Sequence, residues 1–132
     1  MKLTRILLKL CWRNTAGKTF ILGYTNETDG IFNEVPVIIF DDFTTASKYV
    51  DFPFKVKSSA MKILKCNPEY NIKFYFYLLQ SLEYDSSTHK RYWISEFAPM
   101  MVPVPSRKEQ DKIVDKVEQL LVLIEQIKKV IN

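Results

Sequence analysis

A chain of 132 residues with an apolar fraction of 47% is long enough for one domain with its own core and too apolar to stay unfolded. No apolar stretch reaches transmembrane length, and Arg5, Lys9 and Arg13 interrupt the N-terminal apolar residues where a signal peptide needs an unbroken run, so a cytoplasmic protein with no membrane contact is expected. The formal net charge of +4 is compatible both with a nucleic-acid partner and with an ordinary solvated surface, so where the charges fall matters more than their sum.

In chain order, Leu3, Ile6, Leu7 and Leu10 stand at helical spacing and predict an N-terminal amphipathic helix. Thr19–Tyr24 reads as a short strand, and residues 26–33 are turn-rich, with Asp29-Gly30 the clearest breaker. Strands are expected at about 35–41, 48–57 and 60–65. The first is the dense apolar run Val37, Ile38, Ile39 and Phe40, which stops at the paired acids Asp41 and Asp42; Thr44 and Thr45 follow. In the second, Val50, Phe52, Phe54 and Val56 alternate with polar residues, the mark of a strand with one buried face. Pro53 lies inside that alternation and points to an edge or bulged strand.

Asn67 and Pro68 suit a helix start, the asparagine as cap and the proline in the first turn. Ile72, Tyr75, Phe76, Leu79 and Leu82 continue that helix, so the aromatic cluster Phe74–Tyr77 is expected in its core, and Trp93 in the core as well. Residues 84–90 form a polar loop with the single histidine, His89. Pro99, Pro103 and Pro105 are expected to hold 98–106 extended. Ser106 stands three residues before Glu109, the spacing of a capping box.

From there Ile113, Val117, Leu120, Ile124, Ile127 and Ile131 recur at alternating steps of four and three, a heptad seam that Val114 and Leu121 widen. Such a helix packs either on its own domain or on a partner helix, and the regular seam favours the partner. Lys128 and Lys129 complement its C-terminal dipole.

The chemistry of catalysis is poorly represented. His89 has no nucleophile motif near it, and no Cys/His spacing makes a zinc site. Gly17, Gly23 and Gly30 are the only glycines and cradle no phosphate loop. Asp41 and Asp42 are neighbours on a strand, so their side chains point to opposite faces rather than to one metal. No catalytic residue, metal site or cofactor is therefore expected in this chain. Cys11 and Cys66 are expected as free thiols, a disulfide between them being the alternative.

Basic blocks flank an acidic stretch: Lys2, Arg5, Lys9, Arg13 and Lys18 precede it, and Lys55, Lys57, Lys62 and Lys65 follow. That distribution suits a surface meeting nucleic acid over part of its area. Asn26, Thr28, Thr44, Thr45, Ser58 and Ser59 are short side chains able to meet base edges or phosphates. Lys48, Lys55, Lys57, Lys90 and Arg91 can neutralise phosphates.

Four motifs in order carry a family likeness. The strand ending Phe40-Asp41-Asp42-Phe43-Thr44-Thr45 resembles the Phe-Gly-Asp-His-Thr-Arg-like turn in the target recognition domain of type I restriction-modification specificity subunits. Phe40, Asp42 and Thr44 match that turn; Asp41, Phe43 and Thr45 depart from it, Thr45 standing at the arginine. Residues 24–33 resemble the approach to the strand, and Arg91-Tyr92-Trp93-Ile94 with residues 103–110 resemble the exit into a conserved helix.

The resemblance implies an α/β (α+β) fold, with a mixed, mainly antiparallel sheet and helices, followed by a long C-terminal coiled-coil helix. It divides the chain into a target recognition domain (1–98, lacking the family's usual N-terminal part), a proline-rich linker (99–106) and a spacer or dimerisation helix (107–132). The implied function is recognition of a DNA half-site in a prokaryotic type I-like restriction-modification system. The chain itself would perform no bond chemistry. Methyl transfer from S-adenosylmethionine and ATP-driven cleavage would belong to DNA methyltransferase and restriction subunits. The chain has room for one recognition domain and one spacer helix, so it is either a half-subunit that homodimerises through residues 113–131 or a fragment. The alternative function is a coiled-coil interaction module, or decoy, that binds a methyltransferase subunit without reading DNA.

Overall fold

The computed structural model describes residues 4–7, 21–56, 60–82 and 91–132. It contains six strands, β1 (Thr4–Leu7), β2 (Ile21–Thr25), β3 (Val37–Asp41), β4 (Ser47–Val50), β5 (Phe54–Val56) and β6 (Met61–Leu64). Helix α1 (Ile72–Ser81), a π turn (Trp93–Phe97) and helix α2 (Arg107–Ile131) complete it. The strands form two three-stranded sheets, ordered β2-β1-β5 and β4-β3-β6. Among the described residues only the β1/β5 pairing is parallel, so the architecture is the mixed, mainly antiparallel α+β fold expected.

β3 is the centre of the molecule. All five of its residues are buried, because both faces of its sheet are covered. Val37 and Ile39 pack with Val50, Phe54 and Met61 towards the other sheet. On the opposite face Phe40 packs with Tyr92 and Phe97, its ring centroid 4.7 Å from that of Phe97.

Several expected elements differ from those found. Residues 4–7 are a strand between β2 and β5, not a helix. Eight residues of apolar spacing cannot separate the two periods, and a slot hydrogen-bonded on both sides decided the outcome. The single strand expected over 48–57 is two strands in different sheets, broken at Asp51–Pro53. Pro53 has no N–H to carry the ladder on, yet the apolar alternation survives: Val50, Phe52, Phe54 and Val56 all meet the same core cluster.

Helix α1 starts four residues later than the Asn67 cap implies. Asn71 is its cap, accepting the Lys73 amide at 3.0 Å. Asn67 instead closes the preceding turn, its carbonyl accepting the Tyr70 amide. Ala98 and Pro99 are not extended, since the Ala98 amide closes the π turn on the Trp93 carbonyl at 2.7 Å. Cys66 is a free, half-buried thiol that burial pushes up from its ordinary pKa; Cys11 and His89 lie outside the described residues.

Helix α2 begins at the expected Ser106 cap, whose hydroxyl accepts the Glu109 amide at 3.2 Å. It has two distinct halves. Gln110 and Val114 are buried against the domain, whereas every residue from Gln119 onward is exposed. The seam residues Ile113, Leu120, Ile124, Ile127 and Ile131 point away from the domain, and Val117 at the boundary is half-buried. No helix among the described residues is long and apolar enough to cross a membrane.

Candidate nucleic-acid interface

The turn leaving β3 is built around two buried acids with separate tasks. Asp41 serves its own loop: its Oδ1 accepts the Phe43 amide at 2.9 Å and the Thr44 amide at 3.3 Å. Its backbone closes the turn, with Asp41 N–H donating to the Ala46 carbonyl and Thr45 N–H to the Asp41 carbonyl, both at 2.9 Å. Thr45 is thereby held at φ 59°, a left-handed conformation that is uncommon and strained for a β-branched residue.

Asp42 ties the turn to distant segments. Its Oδ1 accepts the Trp93 amide at 2.7 Å, its carbonyl accepts the Tyr92 amide, and its own amide donates to the Ala60 carbonyl. Its Oδ2 receives no hydrogen bond among the described residues, but Lys62 Nζ lies 3.8 Å away and Arg91 Nη1 4.0 Å away. The Arg91 guanidinium also lies 5.4 Å over the Phe43 ring. An arginine from a segment about fifty residues downstream therefore stands at the turn where Thr45 replaces the arginine of the resembling motif.

The residues named from sequence do not form one patch. Thr44, Thr45 and Arg91 gather at the end of the sheet where β3 ends and β4 and β6 begin. Asn26 and Thr28 follow β2 on exposed backbone near the start of β5, towards the opposite end. Lys55 pairs with Glu27 there, so part of its charge is already compensated. Lys48 lies within β4 opposite Ile39. Lys57, Ser58, Ser59 and Lys90 lie outside the described residues. Sequence reasoning missed Lys62 as a site residue; its signal is register, since it pairs opposite Phe40 beside the turn.

A second polar assembly, also missed, fixes α2 to the domain. Gln110 is fully buried: its Oε1 accepts the Asn71 amide at 2.7 Å and its Nε2 donates to the Pro105 carbonyl at 2.9 Å. Asn71 Nδ2 donates to Asp111 at 2.9 Å, and Arg107 Nε donates to the same carboxylate at 2.7 Å. Two turns further along α2, Glu118 accepts from Lys73 at 2.9 Å and from the Tyr77 hydroxyl at 3.1 Å.

Those partners shift the titrations. Hydrogen bonds from Arg107 and then Asn71 hold Asp111 below its ordinary value, and the Lys73 hydrogen bond holds Glu118 below 4.5. The Glu118 hydrogen bond raises Lys73 above 10.5. A depressed carboxylate contributes stability above its unfolded value and loses it as pH falls through the folded one; a raised lysine loses its share only as pH climbs past the folded value. Docking of α2 is therefore expected to weaken on acidification below about pH 4.5. Amide-exchange protection of Asn71, which donates to Gln110, reads this directly. Glu118→Gln should shrink the acid loss and leave the share due to Asp111; an unchanged acid limb contradicts the assignment.

Between α1, β6, the π turn and the linker runs an open groove of about 480 Å³, lined by apolar side chains including Leu64, Tyr75, Leu79, Phe97 and Met100. Among the described residues no three metal-binding side chains come together.

Residues 12–132 match the type I restriction modification DNA specificity domain, and the chain belongs to that family. A relative from Escherichia coli, the type I restriction enzyme EcoR124I/EcoR124II specificity subunit, is 52% identical over 104 residues, covering 74% of this chain and 26% of the relative. The chain thus spans about a quarter of that relative's length. No solved structure matches it.

Proposed function

We propose that the chain recognises one half of a bipartite duplex DNA target, as a specificity component of a type I restriction-modification system. The family match over residues 12–132 carries this reading. In it, residues 1–98 form the recognition domain, 99–106 the linker and 107–132 the helix that joins a second copy. Thr44, Thr45 and Arg91 face DNA at the β3 end, with Lys48 on the adjoining strand β4. Bond chemistry belongs to methyltransferase and restriction subunits, which the complete system brings to the same DNA.

The seam suits self-association. In an antiparallel two-fold pair centred on Val122, Leu120 opposes Ile124, Val117 opposes Ile127 and Ile113 opposes Ile131. Every seam residue then meets another, and a two-fold pair of readers selects a symmetric target. Selection from a random duplex pool by the purified chain, at two salt concentrations, tests the proposal. The expected product is a two-part palindrome, retained at the higher salt. A pool that stays random while the chain still captures a methyltransferase subunit would establish the interaction module instead.

A further inference from the structure

We propose that Lys62 and Arg91, drawn together by the buried carboxylate of Asp42, form a binding site for one backbone phosphate of duplex DNA. The proposal rests on the DNA-recognition reading above and assigns a phosphodiester site within it. The Asp42 side chain is fully buried, while Lys62 and Arg91 are 30% and 53% exposed. The carboxylate therefore meets both cations from beneath, and both present their outer sides to solvent.

Their separations from Oδ2, 3.8 and 4.0 Å, are longer than hydrogen bonds. Among the described residues, the contacts of the two side chains are these ion pairs and the Arg91–Phe43 stacking. Two cations share this one carboxylate, and both reach the surface from it. The neighbouring Asp41 turns its Oδ1 to the amides of its own loop.

The positions are also restrained. Lys62 sits on β6 opposite Phe40, and Arg91 precedes the π turn that Asp42 anchors through Trp93. The Phe43 ring beneath the guanidinium favours one plane for it, leaving its edge for bidentate contact with phosphate oxygens. A lysine point charge beside an arginine fork, both preorganised, is a fit to a tetrahedral anion and carries no base information.

The test is the salt dependence of affinity for a duplex of arbitrary sequence, measured for the wild type, Lys62→Gln, Arg91→Gln and the double variant. Both side chains are partly exposed but compensate the buried Asp42 carboxylate, so the variants are expected to lower the melting temperature, which is measured alongside, and affinities are compared well below the lowest value. Each single change should weaken binding about tenfold, as for loss of a charge-assisted hydrogen bond. The double variant should flatten the slope of log affinity against log salt by about 0.9, the contribution of one phosphate. Arg91→Lys should restore part of the loss.

A steep wild-type slope left unchanged in the double variant overturns the phosphate site and leaves the DNA reading standing. Losses that depend on duplex sequence overturn it too, since they report a base contact. Saturable binding of inorganic phosphate that the double variant loses, with duplex affinity untouched, reassigns the site to a free anion. Absence of any salt-dependent affinity in the wild type overturns both the site and the reading on which it rests.

Discussion

Aspartate at both Leu120 and Ile124 is expected to abolish the proposed pairing, seen in sedimentation as the mass of one chain where the wild type gives that of two. Both side chains are about half exposed on the isolated helix and lie at the middle of the proposed two-fold pair, each facing the other's symmetry mate. A double substitution therefore removes four buried aliphatic groups from the pair, each contributing about 1.5–3 kcal/mol on burial. It also places four carboxylates against one another in a dry seam, where unpaired charges are costly.

Folding should be spared, because α2 is held to its own domain through Gln110 and Val114, well before residue 120. Gln119→Asp, exposed but outside the seam, serves as the control and should leave the mass unchanged. A double variant that sediments like the wild type would remove the seam from any role in self-association.

Asp42→Ala is expected to lower stability by about 2–3 kcal/mol, the cost of losing a buried charge-assisted hydrogen bond and leaving its donor without a partner. The carboxylate is the link between the β3 turn and the Trp93 amide across fifty-one residues of sequence. Asp41→Ala, although equally buried, should cost about 1 kcal/mol, because Asp41 Oδ1 caps only amides of its own turn. Asp42→Asn keeps an oxygen acceptor for Trp93 and should fall between the two. Urea midpoints at constant m-value give the ranking, and equal losses for Asp41→Ala and Asp42→Ala would contradict the division of labour.

That division was not visible in the sequence, where the two acids read as a neighbouring pair that ends the apolar run. Strand alternation put them on opposite faces, but nothing local said that one would reach the segment at residue 93. What was visible rested on periodicity and local chemistry. The apolar run of β3, the Ser106 cap and the length of α2 all follow from side chains within a few positions of one another. The N-terminal strand was misread because its pattern is short and its conformation is set by neighbours on both edges.

The start of α1 was displaced because Asn67 and Asn71 offer the same capping chemistry four residues apart; Asn71 is the one that α2 also engages. The contacts of Gln110 with Asn71 span thirty-nine residues and carry no repeat, motif or composition bias. Of the candidate interface, the turn threonines and Arg91 could be named in advance. Their company with Lys62 depended on strand register, which hydrophobic pattern alone does not reveal.

The fully buried amide of Gln110 has a mechanical meaning. It grips the root of a rod whose far end lies roughly 30 Å away at 1.5 Å per residue. Tilting such a rod by about 10° would swing its tip by about 5 Å, more than the 3.4 Å rise of one base pair. In the proposed pair, two amide hydrogen bonds at the root would thus help to set the gauge between the two readers: a slack pivot there would blur the spacing of the target, even with every base contact intact.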